Sequence, residues 1–432
     1  FGQSFQVGDS SAPSLKGKEC IFASISTVES IAEFLRTSLG PTGMDKILTS
    51  PDGNITVTND GATILQEMDM STNPISQLIV QLSQSQDEEI GDGTTSIVIL
   101  AAAILRQAKG LIVKGIHPVK IAEGFAVAQA KAEEHLRRIS EPITDLKGFM
   151  LKTAKTTLSS KIASSAELAS LCVEAVLAVA DMERRDVDLD LISIQSRSGC
   201  SLSDTRLIAG IVINKPFSHP QMAKEIKNAK VALLSCPFEP PKLKTKNTLV
   251  IKSAEEYKAL EEYEREKFAE MIRSLRNAKA DVVMCQWGFD DEANSLLREA
   301  NLPAVRWVGG HELGLMAAHI SGQIIARFED LTPEALGTAD VREEALTTES
   351  ERIIVVENPG KRRSVTIMVR GSTDYVIDEA KRSIRDALCA IRNVLVSDSI
   401  VYGGGSAEVS VSNRLFEESK LCGAEVESAM RS

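Results

Sequence analysis

The chain has 432 residues, enough for about three domains of ordinary size and for a large core. Asp and Glu number 60 against 49 Lys and Arg, a formal charge of −11, which argues against a nucleic-acid coat because phosphate binding rests on clustered cations. Apolar residues make up 43% and charged residues 25%, the balance of a folded globular protein, and the 4% of aromatics requires an aliphatic core.

The longest unbroken apolar run, Ile97 to Leu105, ends at Arg106, well short of the ~18 residues of a membrane span. No basic patch followed by an apolar stretch opens the sequence, so a cytoplasmic location without membrane contact is expected. Seven scattered cysteines without a CxxC pair and five dispersed histidines fit reduced structural thiols rather than a disulfide framework or a zinc site.

In chain order, Ile21, Ile25, Val28, Ala32, Leu35 and Leu39 recur four and three apart, the stripe of an amphipathic helix that stops at Gly40-Pro41. A second helical pattern passes through Leu78, Ile79 and Leu82. Thr94 to Lys109 is apolar almost all round, as for a helix at a domain centre. A fourth helix starts at Pro118 and carries Ile121, Phe125, Ala128, Ala132 and Leu136 on one face. Residues 1 to about 138 thus form a mostly helical region. Short β-rich runs at Leu207 to Asn214, Val231 to Ser235, Asp281 to Gln286, Ala304 to Val308 and Gln323 to Phe328 alternate with helices, as in an α/β domain. The charged stretch Ser253 to Lys279 is a surface helix or a projecting helix whose apolar tip meets a partner. Past Glu357 come a strand, Ser364 to Val369, and a helix with Val376, Ala380, Ile384, Leu388, Ile391 and Leu395 on one face.

Five places could carry chemistry. Gly40-Pro41-Thr42-Gly43 is a tight turn at a helix end, either a cap or a place where backbone closely approaches a bound group. In Gly91-Asp92-Gly93-Thr94-Thr95-Ser96, helix-start N–H groups and hydroxyls suit an anion, and Asp92 offers hard oxygens to Mg²⁺ or serves as an N-cap. Thr58-Asn59-Asp60-Gly61-Ala62-Thr63 contains the turn signal Asn-Asp-Gly, or holds an aspartate that orients a water. Asp386 lies about 200° of helical rotation from Ile384, off the buried stripe. Gly403-Gly404-Gly405 is either a flexible joint or a surface for a flat group. The common phosphate-binding, zinc-hydrolase and nucleophile-elbow motifs are missing from the sequence.

LGPTGMDK, TVTNDGATIL, DEEIGDGTTS, GIHPVKIAEGF, KTTLSSK, RDALCAIRN and VYGGGSAE, in this order, resemble the group II chaperonins nearly end to end. CPFEPP (236–241), CQWGFDD (285–291) and LPAVRW (302–307) resemble one particular subunit class of the eukaryotic cytosolic chaperonin. The resemblance implies a multidomain α and α/β chaperonin fold. Its mostly helical equatorial ATPase domain would comprise 1–138 and 398–432. A small α/β intermediate domain would take 139–205 and 357–397, and an α/β apical domain 206–356, with a helical protrusion at about 240–280 that forms a lid.

It further implies ATP and Mg²⁺ as cofactors. Asp60 and Asp386 would be the catalytic carboxylates and Asp92 the metal ligand. The nucleotide would be bound by Gly40, Pro41, Thr42, Gly43, Gly61, Gly93, Thr94, Thr95, Ser96, Ser160, Lys161, Gly404 and Gly405, with Lys161 directed at the γ-phosphate. The implied partners are paralogous subunits in a double ring and unfolded or nascent polypeptides of the actin and tubulin type, without nucleic acid or membrane. The family's subunits continue beyond the position of Ser432, so a longer natural chain is expected. Two other functions compete: a chaperonin-like assembly factor that does not hydrolyse ATP, disfavoured by the joint presence of Asp60, Asp92 and Asp386, and a metabolic enzyme, for which the α/β region lacks a catalytic cluster.

Overall fold

The computed structural model describes residues 15–50, 53, 55–68, 70, 73–161, 165–239, 251, 253–346, 352–358, 364–420 and 424–431. The chain divides into two compact units, one made of Phe1–Ser164 and Arg385–Ser432, the other of Ser165–Ile384. The division does not separate the expected intermediate region, whose segments 139–205 and 357–397 are shared between the units.

The first unit opens with α1 (Lys18–Arg36), whose buried residues Ile25, Val28, Ile31, Ala32 and Leu35 follow the expected stripe. The helix stops at a Thr37 cap, three residues before Gly40. Gly40, at φ +88°, instead makes the turn closed by Gly43 N–H to its carbonyl (2.9 Å). The hairpin of β1 (Lys46–Thr49) and β2 (Ile55–Thr58) pairs Lys46 with Thr58 and delivers the chain to α2 (Gly61–Glu67). Asn73 and Pro74 start α3 (Pro74–Glu89).

After α3 come α4 (Thr94–Val113), α5 (Pro118–Ile139), β3 (Glu141–Pro142) and α6 (Leu146–Leu158). Leu35, Ile64, Leu65 and Val98 form the centre of the core shared by α1 to α4, each contributing about 1.5–3 kcal/mol by leaving water. α4 is not apolar-buried all round as its composition suggested: Val98, Ala102 and Leu111 are buried, but Leu100 is 58% and Val113 70% exposed. Its neighbours cover one side of it, and among the described residues the other side has no cover. At 20 residues, α4 is also long and apolar enough to cross a membrane, which counting only unbroken apolar runs did not reveal.

The second unit begins with α7 (Ala166–Val179) and β4 (Ile192–Ser198), followed by β5 (Arg206–Ile208), β6 (Gly210–Ile213) and β7 (Glu225–Leu234). The chain continues through α8 (Ala254–Asn277), β8 (Val282–Cys285), α9 (Asp291–Glu299), β9 (Ala304–Val305), α10 (Gly310–Ile320), β10 (Ile324–Ile325), β11 (Gly337–Ala345), β12 (Arg352–Glu357) and β13 (Val365–Gly371). One sheet has the order β6-β12-β11-β7-β8-β9, with β10 also pairing β7. It is antiparallel from β6 to β7 and parallel among β7 to β10, as the alternating strands and helices required. A three-stranded sheet, β4-β13-β5, lies in the same unit.

Phe268, Ile272 and Leu275 of α8 are buried in the core of the larger sheet, whereas Tyr257 and Tyr263 are exposed. The C-terminal half of this helix is therefore a core element and not a projecting one. Residues 240–250 and 252 of the expected protrusion lie outside the described residues.

The chain returns to the first unit through α11 (Asp374–Val396), then β14 (Ser399–Ile400), which pairs antiparallel with β3, and α12 (Ser406–Ser419) and α13 (Ala424–Arg431).

Candidate phosphate and water-activating site

Asp60 caps α2. Its Oδ2 accepts from Thr63 N–H (3.0 Å) and the Thr63 hydroxyl (2.8 Å), and its Oδ1 from the Thr94 hydroxyl (2.8 Å). The turn and the functional reading of this residue are thus one arrangement: the cap locks the carboxylate in place and ties it to the start of α4. Burial alone would push the Asp60 carboxyl up. The Thr63 and Thr94 hydrogen bonds and the Lys161 charge outweigh that and hold its pKa below the ordinary value.

Gly61 lets the two helix starts meet, since a Cβ there would lie 2.6 Å from Thr95 Oγ1 and 2.8 Å from its backbone nitrogen. Thr94 and Thr95 are buried at the head of α4. Gly93, at φ +79°, is the N-cap of α4 and gives it no side-chain cap, so the helix's first N–H groups have no side-chain cap and keep the positive end of its dipole available to an anion. Asp92 is therefore not the N-cap. Its Oδ1 accepts from Gly93 N–H (2.7 Å), and Gln86 Nε2 donates to the Asp92 carbonyl (3.0 Å).

Ser160 and Lys161 follow α6. Asn59 Nδ2 donates to the Ser160 carbonyl (2.7 Å), and the Lys161 ammonium is ion-paired with Asp386 Oδ2. Asp386, expected away from the buried stripe of α11, is 8% exposed. The stripe prediction treated every other face as solvent, but this face is covered by Lys161 at Asp386 and by the Gly91 loop at Cys389.

A cavity of 110 Å³ is lined by Ser38, Leu39, Gly40, Asn59, Asp60, Asp92, Gly93, Thr94, Thr95, Ser96, Ser160, Lys161 and Asp386. Its volume is well below the ~300 Å³ of a small-ligand pocket and suits the phosphate end of a nucleotide. Pro41, Thr42, Gly43 and Gly61 adjoin the lining through chain neighbours, while Gly404 and Gly405 precede α12 and are not part of it. Sequence reasoning missed Ser38 and Gln86, and singled out Asn59 and Thr63 only as members of the Thr58–Thr63 stretch, with no role for either. Of these, the role of Thr63 was detectable, standing three residues after a capping aspartate.

For a cation the lining offers the Asp92 carboxylate, whose Oδ1 accepts from Gly93 N–H. Among the described residues no group of three or more His, Cys, Asp or Glu could hold a metal by itself. This fits Mg²⁺, which takes one or two carboxylates and completes its shell with water and substrate phosphate.

Residues 31–431 match the model of the TCP-1/cpn60 chaperonin family. The chain belongs to that family. T-complex protein 1 subunit epsilon of Encephalitozoon cuniculi is 64% identical over 415 residues, 95% of this chain and 78% of the relative. The Thermosome subunit of Methanopyrus kandleri is 38% identical over 404 residues, 92% of this chain and 74% of the relative. Thermosome subunit beta of Aeropyrum pernix is 40% identical over 414 residues, 94% of this chain and 75% of the relative. The chaperonin is thus epsilon-like and of group II, an ATPase that couples hydrolysis to protein folding.

Proposed function

We propose that this cavity binds the phosphates of ATP with one Mg²⁺ and hydrolyses the γ-phosphate. The carrying observation is that Asp60, Asp92 and Asp386, from three distant chain segments, line one cavity with Lys161 at the head of α4. The α4 N–H groups, with Thr94, Thr95 and Ser96, hold phosphate oxygens. The Gly40 turn and Gly61 allow close backbone approach, and Gly404 and Gly405 lie toward the nucleoside. Asp92 would hold Mg²⁺, which would supply Lewis-acid charge to the phosphate oxygens.

Water attacks the γ-phosphorus and the bond to the β-γ bridging oxygen breaks, giving ADP and phosphate. Asp60, ionised and immobilised by its hydrogen bonds, orients the water. Lys161 turns from Asp386 to the γ-phosphate, leaving Asp386 free to accept the water's proton.

The subunit works in the cytoplasm beside paralogous subunits in a double ring, on unfolded actin- or tubulin-type polypeptides. The equatorial, intermediate and apical domains follow the five segments given above. The test is Asp386→Ala: nucleotide binding is retained and turnover falls by about 10²-fold or more, the scale of lost general-base catalysis. Unchanged turnover would remove Asp386 from the mechanism.

A further inference from the structure

Asp386, Cys389 and Asn393 stand at i, i+3 and i+7 on α11 and so share one face of the helix. The first reaches Lys161. The second fills the space in which a Cβ on Gly91 would stand, 2.3 Å from Cys389 Cβ. The third donates from Nδ2 to the carbonyl of Ile90 (2.9 Å), and the neighbouring Arg392 donates to the carbonyl of Glu89 (3.2 Å).

Glu89 and Ile90 end α3. The last carbonyls of a helix have no partner within it, and α3 carries no basic residue in its own last turn. Arg392 and Asn393 supply the missing donors from another helix, with Arg392 also placing a cation at the negative end of the α3 dipole. Immediately after Ile90 comes the three-residue stretch Gly91-Asp92-Gly93. Both of its glycines sit at φ +79°, a conformation that leaves such a segment free to vary unless its ends are fixed. Gln86 holds the stretch from α3, its Nε2 donating to the Asp92 carbonyl and its carbonyl accepting from Gly91 N–H (3.1 Å), and Asn393 adds the hold of α11 on the Ile90 carbonyl where the stretch begins.

We propose that Asn393 is a positioning residue for the Asp92 loop. The face Asp386–Cys389–Asn393 makes one helix set both the carboxylate that receives the water's proton and the loop that holds the cation. Displacement of this part of α11 then moves both groups together, and preorganisation of Asp92 depends on a residue that touches neither nucleotide nor metal. This rests on the assignment of Asp92 to Mg²⁺.

The test is calorimetric titration of ADP into the assembled chaperonin, with Mg²⁺ and with EDTA, for the parent protein, Asn393→Ala and the near-isosteric Asn393→Asp. Both variants are expected to lose about fivefold in the Mg²⁺-dependent part of the affinity, the effect of one hydrogen bond, with EDTA affinity unchanged. The Asn393→Asp protein carries the test if the alanine variant fails to assemble. Equal loss with and without Mg²⁺, or no loss, overturns the proposal. Asp92→Asn separates the two assignments: if it too leaves Mg²⁺-dependent affinity intact, the metal assignment fails, whereas a shift there without one in the Asn393 variants overturns the positioning role alone.

Discussion

Lys161 and Asp386, 225 positions apart in sequence, form an ion pair in which both side chains are largely buried. The cation proposed to meet a γ-phosphate is thus paired with the carboxylate proposed to take up the water's proton. Each group satisfies the other in a place where neither could stand alone.

Lys161→Met leaves Asp386 without its partner and is expected to cost roughly 3 kcal/mol, the lower end for a broken buried pair because some of Asp386 remains accessible. Adding Asp386→Asn should recover most of the loss. Urea unfolding of the two single variants and the double variant measures the coupling, and a value under about 0.5 kcal/mol would contradict the pair's importance.

Gly61→Ala pushes a methyl group into the backbone of Thr95. Since backbone cannot swing aside as a side chain can, we expect a loss of about 1–3 kcal/mol together with weaker nucleotide binding, because the head of α4 is displaced. Thermal unfolding and nucleotide titration on the same preparation check this. Parent-like stability would mean that the two helix starts separate freely.

Asp60 has a folded-state pKa below its ordinary value, so the unfolded chain takes up the proton first as pH falls. Its stabilising contribution is complete above the unfolded value near 3.9 and is lost as pH drops through the folded one. The stability difference between the parent and Asp60→Asn should stay constant from about pH 5 to 8 and shrink below about pH 4. Denaturation midpoints across that range decide it, and a change in the difference centred at neutral pH would contradict it.

In the second unit, His319 is fully buried. Its Nδ1 is paired with the Ser364 hydroxyl (2.9 Å), and its Nε2 has no partner among the described residues. Burial lowers its pKa, so below about pH 6.5 the unfolded state binds the proton and the folded state resists it. Stability of this unit is expected to decline from about pH 6.5 downward, and His319→Gln to flatten that slope. Unfolding midpoints at pH 5 and 7.5 for both proteins provide the check.

Local patterns determined much of this protein. The stripe of α1, the start of α5 at Pro118, and the alternation of strands and helices in the second unit follow from the spacing of apolar and turn-forming residues, which acts over a few residues and can be read without a fold. The motifs around Asp60 and Asp92 were legible for the same reason, each being a turn followed by a helix start.

Tertiary structure alone decided the rest. Asp386 looked solvated because helical periodicity identifies one buried face, and only packing reveals that a second face of α11 is covered by Lys161 and the Gly91 loop. Half of α4 is exposed because composition does not say which neighbours arrive. Asn59, Gln86 and Asn393 are ordinary amides in the sequence, and only the fold brings each within hydrogen-bonding reach of a specific carbonyl, where a short, directional interaction gives it a task.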